Sequence, residues 1–447
     1  MNLSVIQRIE HRLQAERVRK STFASAVVLS PFLRVSIERT SPSVDTGQAR
    51  PRYFDGRFLA ARDLERDQTY IAARQAEQLR AAGPGVIHGL EVTPIDHATI
   101  RVRAGAALTA TGRAVVVRED ATLSFGDAAT TERLNRELGL SSTPRELARR
   151  NTGVFVLLAR PVEYTANPIG FYPASIEERR RPEDGEIVEA VAFTLVPYRD
   201  AAVNVEPARQ RAALAHRLFV QRADAGLSLE AVPLAMLQLE RGFVRWVDPW
   251  LVRREIGEAY DGMGTQRRPP RALVEAQLHQ YRDHLAEIRS RHPEPFAASD
   301  ELVALPPAGP YPFAALDLAT QSDRFFPPTL PTALHVVPTD ELPAAVDEAL
   351  ALPPIDLRAS PSSLRATPVA VLLCLPRADV ETLPPHLRRF PLRPASAVRA
   401  SDSPMSVARL LELIETSGEP PAYFARLHRA IGDTEDGVLP IELQGVG

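Results

Sequence analysis

The chain reads as a multidomain α+β protein. It divides into an N-terminal antiparallel β-sandwich or barrel-like shell domain, a central helical bundle segment and a small C-terminal α+β domain. Three observations predict this. Short alternating apolar runs separated by glycine turns fill residues 85–117. A heptad-like apolar seam runs from Val274 to Ile288. Forty prolines, clustered in the second half, break that half into short strands and extended segments. At 447 residues the chain is too long for one core. Its composition shifts place an N-terminal extension at residues 1–50, the shell domain at 51–252, the helical segment at 253–300 and a Pro-rich interaction domain at 301–447.

The elements follow in order. Residues 4–20 read as a short helix, 21–39 as extended chain and 40–51 as a Ser/Thr/Pro/Gly-rich linker. Asp55-Gly56 is a turn dipeptide, and residues 60–82 hold no Pro or Gly and are rich in helix formers. Gly83-Pro84-Gly85 stops that helix, and residues 86–92 alternate toward a strand. The helix is polar, with Leu64, Ile71 and Leu79 as its main apolar residues. Such a helix is either solvated against its own sheet or bridges to another subunit. Runs at 98–103, 107–110 and 114–117 then suggest an antiparallel meander.

Helices are expected near 131–138 and 144–150, and strands over 153–159 and 186–196, with a solvated charged loop tip at 177–184. Residues 207–223 read as a helix. Residues 230–239 and 243–247 pair as a hairpin across Glu240-Arg241-Gly242. In the seam, Val274, Leu278, Tyr281, Leu285 and Ile288 step by four, three, four and three. Two heptads are too few for a coiled coil by themselves, so the seam pairs within the chain or with its own copies about an axis. His279 and His284, five apart, share no face and read as exposed. The last domain has strands at 333–337 and 369–375 around a helix at 339–351. Two closing helices run from Ser403-Pro404 to Thr416 and from Pro420 to Ile431. The aromatic-proline stretches around Tyr311 and at Phe325-Phe326-Pro327-Pro328 suit protein contacts.

The net charge of −3 argues against a nucleic-acid partner. Lys20 is the only lysine, which excludes a Walker-type or Schiff-base lysine anywhere else. Cys374 is the only cysteine and sits in an apolar run, as a buried inert thiol. No stretch has the apolar length of a membrane span or the core of a signal peptide, so the expected location is cytoplasmic, later within an assembled particle, retained in or released from the cell. There is no GxSxG, HExxH, CxxC, P-loop or complete GxGxxG. Gly262-Met263-Gly264 is a fragment in a loop. His88 reads as a hydrogen-bonded structural histidine rather than a catalytic one. Asp63 and Asp67, flanked by Arg62 and Arg66, read as surface patterning. No catalytic residue, cofactor or metal is expected.

The stretch Tyr53-Phe54-Asp55-Gly56-Arg57-Phe58-Leu59, then Arg62-Asp63-Leu64, Gln68 and Tyr70, leads to Gly85-Val86-Ile87-His88-Gly89-Leu90-Glu91-Val92. It resembles the N-terminal region of the type VI secretion baseplate subunit family TssK and related baseplate segments of phage-like contractile tails. A second match follows in order. Val232-Pro233-Leu234-Ala235-Met236-Leu237, Gly242 and Val247-Asp248-Pro249-Trp250-Leu251-Val252 are similar to that family's Leu-Pro-Leu strand, turn and Asp-x-x-Phe-Ile-Pro-Pro segment, with the paired prolines missing here. The resemblance covers residues 50–295. It implies a β-sandwich shell, a helical bundle that trimerises, a terminal domain that contacts other machinery, and no enzyme activity. The expected function is a structural baseplate adaptor joined to other baseplate or tail subunits. Its expected interface is Tyr53, Phe54, Phe58, Arg62, Asp63, Arg66, Gln68 and Tyr70, with Phe54, Phe58 and Leu90 anchoring the helix. Its expected trimer seam is the five residues from Val274 to Ile288. The alternative is a carbohydrate-binding or tail-spike-like protein with a cleft near Trp246 or Trp250.

Overall fold

The computed structural model describes residues 50–125, 152–170, 182–198, 206–223, 226–256, 270–398, 407–417 and 420–428. The expected elements at 4–39, the linker up to residue 49, the helices near 131–138 and 144–150, the charges at 177–181 and Gly262-Met263-Gly264 lie outside these residues. The chain divides into two compact units, residues 1–78 and 79–447, and each is described by itself. The fold is mixed α/β with several sheets.

The first unit carries α1 (Ala61–Arg80), which begins one residue inside the expected helix and has no buried residue. Its amphipathic stripe is too thin to bury, so its helicity rests on its Ala, Glu, Gln and Arg content.

The second unit opens with β1 (Gly85–Gly89), β2 (Val92–Pro94), β3 (Thr99–Val102), β4 (Gly105–Leu108), β5 (Ala114–Val117) and β6 (Ala121–Ser124). These do not form the expected meander. Two three-stranded sheets interleave, in the orders β1-β4-β5 and β2-β3-β6. The reason lies at two glycines. A side chain on Gly89 would lie 2.0 Å from the Ala104 carbonyl oxygen, and one on Gly105 would lie 2.4 Å from that of His88. The chain crosses itself there, so β3 and β4 leave for different sheets instead of turning back on each other.

A four-stranded antiparallel sheet follows, in the order β10-β9-β7-β8, from β7 (Gly153–Gly170), β8 (Pro182–Pro197), β9 (Val232–Glu240) and β10 (Phe243–Asp248). Glu240 and Phe243 flank a two-residue turn in which Arg241 and Gly242 both have positive φ, 53° and 83°. That geometry matches the strand twist. One face of this sheet, with Phe155, Leu157, Leu234 and Leu237, buries against the small sheets. The other, with Val156, Leu158, Met236 and Trp246, packs on α2 (Pro207–Ala215) and the wider helical turn His216–Val220. The four-stranded sheet is thus covered on both faces. Both β7 and β8 run well past the expected strands, and Glu183 and Asp184 are paired strand residues rather than loop tip.

The central segment is one long helix, α3 (Arg271–Arg291), and no bundle is found among the described residues. Ala276 faces the shell core, whereas Tyr281, Leu285 and Ile288 sink into the C-terminal core. The helix is the joint between the two cores. His284 is buried, which overturns its expected exposure, and His279 is half-buried against the Trp250 ring at 4.5 Å.

The C-terminal half contains α4 (Ala298–Glu301), β11 (Ala304–Leu305), β12 (Ala308–Pro310), β13 (Leu316–Asp317), β14 (Ser322–Asp323), β15 (Thr332–Pro338), α5 (Leu342–Leu350), β16 (Ile355–Asp356), α6 (Pro361–Arg365) and β17 (Val369–Leu375). It ends with α7 (Arg377–Thr382), α8 (Pro385–Arg388), β18 (Arg389–Pro394), α9 (Ala408–Ser417) and β19 (Ala422–Arg426). Seven strands form one mixed sheet, β12-β19-β17-β15-β18-β14-β13, with β15 and β17 parallel around the α5 crossover. The expected closing helix at 420–431 is instead strand β19, wedged between β12 and β17. Two neighbouring strands supply backbone partners that outweigh local helix preference. Cys374 is buried, and burial pushes its thiol up to about 11.

Candidate functional site

The turn that precedes α1 is built locally. Gly56 adopts φ +82°, and the Arg57 amide donates to the Phe54 carbonyl at 3.1 Å. Arg57 then clamps both sides. Its guanidinium donates to the Arg52 carbonyl and to Asp63 Oδ1, each at 2.6 Å. Asp63 Oδ2 accepts the Ala60 amide at 3.2 Å, so Asp63 works as the reaching-back acid of a helix N-terminus. That amide, with the Arg57 charge behind it, holds the Asp63 carboxyl below the usual range. Tyr70 lies between Arg50 and Arg74, 5.7 and 5.5 Å from its ring centre. Asp63 and Tyr70 are therefore committed within the unit.

Phe54 and Phe58 are 62% and 97% exposed, and Leu90, in the second unit, is fully buried. Tyr53, Leu59, Leu64 and Ile71 are about half-exposed. Leu64 and Ile71, seven apart, share one side of the helix. Arg62, Arg66 and Gln68 are exposed, and no ion pair of either arginine is found among the described residues. The predicted stretch thus presents a hydrogen-bonded turn with exposed aromatic rings, followed by a helix on which Arg62 and Arg66 are exposed.

The second half of that motif belongs to the second unit. The buried Arg253 guanidinium donates to the carbonyls of Leu90 and Gly89 at 2.9 and 2.8 Å. The Val86 amide donates to the Arg254 carbonyl at 2.9 Å. Residues 85–92 and 248–256, distant in sequence, are locked together as one joint. His88 is exposed at a β-bulge in this strand.

Behind the joint lies a buried polar network. Asp248 accepts from Arg211 at 2.5 Å and from Gln280 at 3.2 Å, and Arg211 also reaches Glu287 at 2.6 Å. His284 beside it is depressed to about 3, first by burial and then by the Arg211 and Arg291 charges. Sequence reading missed this network because its members come from α2, β10 and α3.

Tyr281, Leu285 and Ile288 of the expected seam are spent on the chain's own core, and the Tyr281 hydroxyl donates to the Pro310 carbonyl at 2.8 Å. Val274 and Leu278 stay half-buried. Trp246 is buried, and the Trp250 indole donates to Asp283 at 2.8 Å. Among the described residues no group of His, Cys, Asp and Glu is placed to hold a metal ion, and no helix is long and apolar enough to cross a membrane.

No known family profile matches the chain, and no curated protein does. It is similar to solved type VI secretion baseplate structures. One is the TssK–TssF–TssG baseplate subcomplex seen by cryo-electron microscopy: 12% identity over 54% of this chain and 70% of that one, TM-score 0.25. A second is the type VI baseplate complex, at 14% identity over 46% and 59%, TM-score 0.21. A third is a crystal structure of TssK, at 11% identity over 56% and 52%, TM-score 0.21. The chain spans little more than half the length of the latter two.

Proposed function

We propose that the chain is a structural adaptor in the baseplate of a contractile injection machine of the type VI or phage-tail-like kind. It joins the baseplate to a fibre, a membrane complex or another tail component, and performs no catalysis. The observation that carries the reading is the exposure of Phe54 and Phe58 on the same stretch that bears the family-like motif. Bare aromatic rings on a clamped turn lose little entropy on docking and form strong anchors. Arg62, Arg66 and Gln68 supply the polar rim. The partners are other baseplate or tail subunits.

Self-association as a trimer belongs to the same proposal. With Tyr281, Leu285 and Ile288 already buried in the chain, it needs a surface that includes Val274 and Leu278 but extends beyond the seam. No observation favours the carbohydrate reading, since the indole N–H of Trp250 is bound and its ring stacked on His279.

The test is the double charge reversal Arg62→Glu/Arg66→Glu. The expected result is loss of co-purifying tail or baseplate subunits with an unchanged thermal melt. A collapsed melt, or full co-purification, overturns the reading. Sedimentation velocity of the purified chain decides the trimer.

A further inference from the structure

Beyond Val162 and Ala192, which are buried, the shell sheet ends in a ribbon whose described residues are mostly exposed. β9 leaves β7 at Ala159, but β7 and β8 stay in register from Arg160↔Ala192 to Gly170↔Pro182. Eleven residues at about 3.3 Å each give an arm of roughly 35 Å. Tyr164, Ile169 and Ile187 are 41%, 61% and 68% exposed along it. A lone two-stranded ribbon is at best marginally stable in water. β8 pairs with β7 alone among the described residues, so its outer edge presents backbone donors and acceptors.

The charge on that edge is one-sided. Residues 160–170 and 182–192 contain Glu163, Glu183, Asp184, Glu186 and Glu189 against one basic residue, Arg160, at the base. Four of these five acids are on β8, the edge strand. Arg113, on the shell, meets Glu163; among the described residues Asp184 and Glu186 accept from the neutral Thr165 and Asn167 side chains across the ribbon. A second copy laid on this edge in antiparallel register brings carboxylates against carboxylates, which is destabilising. A strand with basic side chains gains both the ladder and the charge pairs.

We propose that the β8 edge of this arm captures a basic extended segment of another protein as a third strand. The backbone edge supplies the ladder, the carboxylates select for Arg and Lys, and Ile187 and Tyr164 supply apolar contact. The inference is independent of the baseplate reading, since it requires only the ribbon and its charge.

The probe is a labelled, end-capped ten-residue peptide of alternating Arg and Val, titrated into the full chain by fluorescence anisotropy. Hydrogen exchange is read over residues 160–170 and 182–191. An alternating Glu/Val peptide and an Arg/Val peptide with two central prolines are the controls. The expected result is salt-sensitive binding of the basic peptide, slowed exchange at 183–191, and at least tenfold weaker binding of the proline-broken peptide. The variant Glu186→Gln/Glu189→Gln, checked for an unchanged melt, is expected to bind at least tenfold more weakly. Equal binding of the proline-broken peptide, binding without protection at 183–191, or no binding each overturns the proposal. So does a free chain that sediments as an oligomer with 183–191 already protected, which assigns the edge to a second copy.

Discussion

Two aromatic stretches of this molecule share a composition and meet opposite fates. Tyr53, Phe54 and Phe58 stand on a turn beside a polar helix and remain exposed. Tyr311, Phe325 and Phe326 also stand on short Pro-flanked segments, and all three are buried. Tyr311 on Phe325, Phe325 on Phe326 and Phe326 on Phe424 pack edge-to-face with ring centres 5.1–5.6 Å apart, and Tyr311 lies tilted on Phe326 at 6.0 Å. The difference is what lies beneath. The C-terminal segments cross a seven-stranded sheet whose β19 brings Phe424 to them, and Asp323 ties the loop. It accepts the Tyr311 hydroxyl at 2.5 Å and the Phe325 and Phe326 amides at 3.0 and 2.9 Å. The expectation that these prolines and rings form a contact surface is therefore overturned. Their prolines shape the path of a core loop. The first stretch is clamped equally well by Arg57, but only by its own polar groups, so its rings have nothing to bury against within the unit.

The sharpest way to break this contrast is truncation. Phe325→Ala is expected to cost about 3–5 kcal/mol in urea unfolding, because a fully buried ring leaves a cavity. Phe58→Ala is expected to change stability by less than about 0.5 kcal/mol while weakening capture of a baseplate partner. Equal effects from the two substitutions abolish the distinction. Arg211→Ala removes the charge paired with the fully buried Asp248 and is expected to cost about 3–5 kcal/mol in the same assay, since the carboxylate keeps only neutral donors.

The next effect is pH-dependent and confined to the second unit. Burial depresses His284 to about 3 and His335 to about 4, against about 6.5 in the unfolded chain. Between those values the unfolded state binds more protons, so stability falls as pH drops below about 6.5. The slope approaches about 1.4 kcal/mol per pH unit for each histidine. His284→Gln is expected to flatten the slope of chemical-denaturation stability between pH 6 and 4; an unchanged slope counts against its burial. The smallest effect belongs to Arg62→Glu alone, which is expected to leave the melt in place and slow partner association more than it speeds release.

Much of the local structure was readable in the chain. The turn at Asp55-Gly56, α1, the hairpin across Arg241-Gly242, and β15, α5 and β17 each taken singly follow from patterns within some twenty residues. So did the burial of Cys374. What failed involved partners distant in sequence. Residues 422–426 read as the start of a helix, yet two flanking strands make them a strand. The apparent meander separates into two sheets because the chain crosses at Gly89 and Gly105. His284 was placed outside because helix periodicity says which residues share a side, and says nothing of which sides are covered.

The seam from Val274 to Ile288 states the same division. Its spacing determined that one side of α3 must be buried, since apolar area repeated along a helix is removed from water somewhere. Whether a copy or the chain itself would cover it was left open by that spacing. The tertiary structure decided it for Tyr281, Leu285 and Ile288 by bringing a second core against them. The aromatic turn at residues 53–58 is the converse. Its clamp was local and so predictable in outline. Its exposure was not, because exposure depends on where the rest of the chain runs.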